Sequence, residues 1–219
     1  MAVNASSAVP MNPVDIASHG PVIPVIVIDC VADALPLAEA LLAGGVKVLE
    51  VTLRTAAGLP AIEAIARNLP EAVVGVGTVL NADDARRASE AGARFAVSPG
   101  YTFEVGSACK RLDLPLLPGV ATSSEIMAAL ADGFSFLKFF PAEAAGAIPL
   151  LKAWASPFGQ VSFCPTGGIT QATAPHYLAL PNVLCVGGSW LTPADAVRAG
   201  DWARITQLAR AAQGLRGGS

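Results

Sequence analysis

Histidine is nearly absent from this chain. His19 and His176 are its only two among 219 residues, and they form no HxH or HxxxH pair. A protein-built metal centre therefore lacks its commonest ligand, and no metal is expected. Charge is scarce as well, at 14% of residues with a net −3 and no run of Lys or Arg. That excludes nucleic acid and an anionic membrane surface as expected partners. Cys30, Cys109, Cys164 and Cys185 make no CxxC pair. Three of the four stand in strand-like apolar runs, where free cysteine acts as a small hydrophobe. No apolar run reaches membrane-spanning length, and the opening MAVNASSAVPMNPVDIASHG has no charged stretch leading into an apolar one. The expectation is a soluble, cytoplasmic protein with reduced thiols.

Apolar residues are plentiful, at 53% of the chain. That is ample for a core, and with so little charge it suggests apolar surface covered by another subunit. After a lead-in over 1–20, with a helical turn near 14–18, strands and helices alternate to the end. Strands are expected over 21–29, 46–54, 72–79, 93–99, 115–121, 135–140, 160–164 and 183–186. Helices are expected over 32–43, 58–69, 82–91, 102–112, 122–132, 148–155, 171–180, 194–199 and 201–213. Asn81 stands as a helix cap before acidic residues, and Thr122-Ser123-Ser124-Glu125 has the form of a capping box. Eight near-continuously apolar strands, each followed by a helix, describe a parallel sheet covered on both faces. The fold class is α/β, and eight units closed on themselves make a (β/α)8 TIM barrel over 21–219. An open doubly wound sheet is the alternative, but no GxGxxG turn follows the first strand.

In such a barrel the chemistry sits at the C-terminal ends of the strands. The segment SFLKFFPAE places Lys138 alone among Phe134, Phe136, Leu137, Phe139 and Phe140. Burial disfavours the charged form of an amine, and a neutral amine attacks carbonyl carbon, so such a lysine suits a Schiff base. The bland alternatives are a snorkelling side chain or a pair with Glu143. Period-two alternation in VKVLEVTLR puts Val48, Glu50, Thr52 and Arg54 on one face, which points Glu50 into the barrel if Leu49 and Val51 face the helices. A carboxylate beside a Schiff-base lysine is a natural proton shuttle. A purely structural Glu50–Lys138 pair competes with that reading, although apolar residues are usually as stable.

Arg54 at the strand lip offers a fork for a carboxylate or phosphate, or else pairs with some acid. Thr166-Gly167-Gly168 and Gly187-Gly188-Ser189 follow the seventh and eighth strands, the usual phosphate-binding loops of this fold; alternatively they are two tight turns. Gly75-Val76-Gly77-Thr78 and Ser98-Pro99-Gly100 leave room for a ligand or are merely turns.

The motifs LEVTLRT, GVGTVLN, SPG, PGVATSSE, KFFPAEAAG, CPTGGI and VLCVGGSW, in order over about 21–208, resemble the class I 2-keto-3-deoxy-6-phosphogluconate (KDPG) and 4-hydroxy-2-oxoglutarate (KHG) aldolase family. The resemblance implies that Lys138 forms the Schiff base and Glu50 is the general acid/base. It implies that Arg54, Thr78 and Thr166 surround the pyruvyl carboxylate and carbonyl, that Pro99 and Phe140 line the pocket, and that Gly167, Gly168, Gly188 and Ser189 take the phosphate. It further implies cleavage of KDPG to pyruvate and glyceraldehyde 3-phosphate, and of KHG to pyruvate and glyoxylate. It implies no metal or other cofactor, and a homotrimeric assembly. The lead-in and the AAGA after KFFPAE depart from the family pattern. A preference for the 6-phosphogalactonate epimer, and a sugar-phosphate-binding barrel without lyase chemistry, stand as alternatives.

Overall fold

The computed structural model describes residues 13–216; residues 1–12 of the expected lead-in lie outside them. The expected helical turn is α1 (Pro13–Ser18). The alternation then runs β1 (Val22–Ile26), α2 (Ala34–Ala43), β2 (Val48–Thr52), α3 (Gly58–Asn68), β3 (Val73–Gly77), α4 (Ala82–Glu90), β4 (Ala96–Val97) and α5 (Phe103–Arg111). The fifth strand is broken at Pro118 into β5 (Leu116–Leu117) and β6 (Gly119–Val120), since proline lacks the donor a ladder needs. There follow α6 (Ser123–Ala131), β7 (Phe136–Phe139), α7 (Ala147–Trp154), β8 (Ser162–Pro165), α8 (Ala174–Leu178), β9 (Val186–Gly188), α9 (Ala194–Ala199) and α10 (Trp202–Gln213).

All the paired strands are parallel. One sheet has the order β5-β4-β3-β2-β1-β9 and the other β6-β7-β8. The kinked fifth strand joins them on one side, and parallel bridges Phe163–Val183 and Thr166–Gly187 join β8 to the ninth on the other. The ring of eight units is therefore closed. The helices close it too: Thr206 Oγ1 of α10 donates to Ala40 O of α2 at 2.9 Å.

Alternation sorts the core into two shells. Leu49, Val51, Val74, Val76, Leu137 and Phe139 pack outward against the helices. Ile23, Val48, Val73, Phe95, Val97, Leu117, Phe136, Cys164 and Cys185 fill the inner shell, and Ile16 and Ala17 of α1 join them. Glu50 and Lys138 each lie one inward position above Val48 and Phe136, at the top of that filled interior.

Several expected boundaries shift. The fourth strand keeps only two ladder residues of the seven expected. The eighth unit pairs through Gly187 and Gly188, opposite Ile23 and Pro24, rather than ending at Val186. Glycine reads as a turn in sequence, whereas here it serves close packing within the ladder. The helix expected over 171–180 starts at Ala174, because Thr170 and Thr173 exchange side-chain and backbone bonds in a turn before it.

Candidate active site

The upper barrel interior holds one buried cation and one buried anion. Lys138 Nζ lies 3.4 Å from Glu50 Oε1, and the residues are 3% and 2% exposed. The ammonium also sits 5.4 Å from the Phe140 ring centroid, within cation–π range. Lys138 neither snorkels out nor pairs with Glu143, whose Oε1 accepts the Tyr177 hydroxyl instead. Such a pair does little for stability that apolar packing would not, yet removing one partner strands a charge at about 3–5 kcal/mol. Its persistence in an otherwise apolar interior therefore points to chemistry.

Glycines make the space for this pair. Glu50 is in register with Gly75, and Lys138 with Gly119. A Cβ on Gly77 would collide with the Glu50 carboxylate, and one on Gly75 with the Phe95 ring. Gly75 and Gly77 are thus strand residues admitting neighbouring side chains, and are not turns.

Above the pair opens a cavity of about 420 Å³. Arg54, Phe140, Thr166, Gly167, Gly168, Gly188 and Ser189 line it, so seven of the eleven candidate residues converge there. Gly167 and Gly168 have φ of 105° and 80°, a left-handed path that glycine alone takes without strain. Gly187 is needed because a Cβ would strike the Thr166 hydroxyl, and Gly188 because one would strike the Trp190 ring. The two Gly-Gly segments therefore bring main chain without side chains to one space, where an oxyanion can approach it.

Arg54 forms no ion pair among the described residues; its Nε donates to Thr78 Oγ1 at 3.3 Å. The guanidinium is aimed by a neutral partner, and its charge stays available at the cavity. Thr78 itself has φ 65°, rare for a β-branched residue. Lys138, Glu50, Thr78 and Pro99 do not line the cavity. Lys138 reaches it through Phe140, Glu50 through Lys138 and Thr78 through Arg54. Pro99, half-buried at the end of β4, packs its carbonyl on Gly119, the ladder partner of Lys138. The structure shows no direct approach of Pro99 to the cavity.

Sequence reasoning missed Val25, Ile169, Thr170 and Trp190, which also line the cavity. Their apolar or ordinary character carries no signal except for Trp190, which follows Gly-Gly-Ser directly. Of the cysteines, Cys30 is exposed and the others are buried. Burial pushes the Cys109 thiol up to about 11, so it stays protonated and unreactive near neutral pH. Among the described residues no cluster of His, Cys, Asp and Glu has the form of a metal site. None of their helices is long and apolar enough to cross a membrane.

A closed parallel barrel holding one lysine against one carboxylate, under an arginine and a glycine cradle, has the form of a carbon–carbon lyase of the Schiff-base class. A family model of KDPG and KHG aldolases matches residues 14–208. The KHG/KDPG aldolase of Escherichia coli strain K12 is 55% identical over 197 residues, 90% of this chain and 92% of that protein. The crystal structure of KDPG aldolase from Legionella pneumophila, with pyruvate captured at low pH as a covalent carbinolamine intermediate, superposes with a TM-score of 0.91. It is 50% identical, covering 93% of this chain and 98% of that one. The Zymomonas mobilis ZM4 enzyme with 3-phosphoglycerate gives 0.88 at 51% identity, covering 93% and 95%. The chain belongs to the KDPG and KHG aldolase family, and it is an aldehyde-lyase.

Proposed function

We propose that this enzyme cleaves 2-keto-3-deoxy-6-phosphogluconate to pyruvate and glyceraldehyde 3-phosphate through a Schiff base on Lys138, and 4-hydroxy-2-oxoglutarate to pyruvate and glyoxylate by the same route. The buried 3.4 Å contact between Lys138 and Glu50 carries the reading. Glu50 takes a proton from Lys138, whose neutral amine attacks the C2 ketone, and Glu50 passes protons as the carbinolamine loses water. The protonated imine then draws electrons toward C2. Glu50, directly or through a water, takes the C4 hydroxyl proton, and the C3–C4 bond breaks to release the aldehyde. The remaining enamine is protonated at C3, and hydrolysis of the imine frees pyruvate and Lys138.

Arg54, with Thr78 and Thr166, holds the pyruvyl carboxylate and carbonyl, while Phe140 shapes the pocket wall and Pro99 backs the strand of Lys138 through Gly119. The N–H groups of Gly167, Gly168, Gly188 and Ser189 hold the phosphate. The uncommitted Arg54 charge and the glycine main chain lining one cavity support this assignment. The enzyme acts as a homotrimer in the cytoplasm. Leu80, Phe103 and Met127, 61%, 72% and 63% exposed on three successive barrel units, are apolar surface suited to that assembly.

Borohydride reduction with pyruvate, followed by peptide mass spectrometry, tests the chemistry. The chain has four lysines, Lys47, Lys110, Lys138 and Lys152, so the adduct is unambiguous in place. It is expected on Lys138 alone, and a finding of none, or of one elsewhere, removes the assignment. Lys138→Met is expected to abolish turnover with the fold intact, and Glu50→Gln to slow cleavage by about 10²-fold or more. Turnover of the gluconate and galactonate epimers in parallel reads the C4 preference.

A further inference from the structure

Glu143 is an oddly placed carboxylate. The chain leaving β7 runs beside the glycine cradle: Ala142 N–H donates to Thr166 O at 2.8 Å and Glu143 N–H to Gly167 O at 3.0 Å. A Cβ on Gly168 would lie 2.7 Å from Cβ and 2.9 Å from Cγ of Glu143. The stem of Glu143 thus rests on a glycine that lines the cavity. A negative charge there opposes any anion the cradle takes up, because like charges repel. Yet Glu143 does not line the cavity.

Tyr177 accounts for this. Its side chain belongs to α8 and is 2% exposed, and its hydroxyl donates to Glu143 Oε1 at 2.8 Å. Burial, and then the bond to this carboxylate, push the phenol well above its ordinary range, so it remains a donor at any working pH. The donor reaches Glu143 from the helix layer.

We propose that Tyr177 is a positioning residue whose hydroxyl holds the Glu143 carboxylate away from the anion cradle, so that a phosphorylated substrate meets N–H donors without an opposing charge. This rests on the reading that the cradle takes the phosphate. Tyr177→Phe keeps the ring and releases the carboxylate. KM for the phosphorylated substrate is then expected to rise about tenfold. The rate of borohydride trapping of pyruvate, which involves no phosphate, is expected to stay unchanged. Glu143→Ala removes the charge and is expected to leave KM within about twofold of wild type. The double variant is expected to match Glu143→Ala, a rescue that a mechanical brace does not allow.

If the bond merely braces the loop, Glu143→Ala raises KM as much as Tyr177→Phe and the double variant shows no rescue; either result overturns the proposal. So does an equal loss of pyruvate trapping. Glu143 is exposed, so its alanine variant keeps the proposal open to refutation even if Tyr177→Phe fails to fold: a tenfold rise in KM overturns it. Inorganic phosphate as a competitor in the wild type separates the two levels. No competition there sinks the cradle reading itself, whereas competition with a brace pattern sinks only the role of Tyr177.

Discussion

Thr78 carries backbone strain beside the residue proposed to hold the carboxylate. Its φ of 65° costs a β-branched residue about 1–3 kcal/mol. In that conformation its hydroxyl lies 3.3 Å from Arg54 Nε. Thr78→Gly relieves the strain but loosens the unfolded chain by about 0.5–1 kcal/mol, so the net change is a small stabilisation. The expected outcome is a Tm equal to wild type or a few degrees higher, with a raised KM for pyruvate-containing substrates because Arg54 loses its guide. A calorimetric scan beside initial-rate kinetics checks both, and a Tm lowered by several degrees contradicts the strain argument. Sequence pattern singled out Thr78 only as a hydroxyl at a strand end. Its backbone conformation follows from the β3 ladder and the packing around Arg54. Lys138 and Glu50 were far more legible, because alternation along a strand is a local rule and each stands alone as a charge among apolar neighbours.

Helix starts are also written locally. Thr122 Oγ1 accepts from Glu125 N, and the Glu125 carboxylate accepts from Thr122 N, the reciprocal box its sequence foretold. Asn81 likewise accepts from Asp84 N at the head of α4. The α6 cap lies at the outer wall, where Trp154 Nε1 of α7 donates to Ser123 Oγ at 3.1 Å. Thr122→Ala is expected to cost about 1 kcal/mol and lower Tm by about 2–4 °C without altering pyruvate trapping. A change in Tm below 1 °C in thermal denaturation would mean the cap is redundant. Elements that misled the sequence reading are those whose glycines serve a neighbour. Gly187 and Gly188 read as the end of a strand and are its ladder, since the crowding they relieve comes from Thr166 and Trp190. Gly75 and Gly77 stand within the expected third strand, and the ladder removes only the turn reading of their motif.

At the scale of the whole molecule, the barrel leaves Leu80, Phe103 and Met127 outside its own core. Water contact with these side chains is unfavourable, and a second copy of the chain is the covering that the proposed homotrimer supplies. Light scattering is expected to give about three times the 22.2 kDa chain mass, and Phe103→Asp to shift the population toward the single chain. A wild-type mass of one chain would dismiss the trimer.

Local sequence sets the order of the elements, the inward faces of the second and sixth units, the helix caps and the residues with chemical reach. Each depends on spacing within about ten residues, where period and composition speak directly. Tertiary structure alone decided what those residues do to one another. Glu50 and Lys138 are 88 positions apart and come within 3.4 Å only because the barrel closes through a strand broken at Pro118. The same closure leaves Arg54 without an acid among the described residues, turns Glu143 from Lys138 to Tyr177, and lets Gly75, Gly77 and Gly187 admit side chains from neighbouring units. No local pattern encodes these pairings, because the partner in each is chosen by the ring that brings distant segments together.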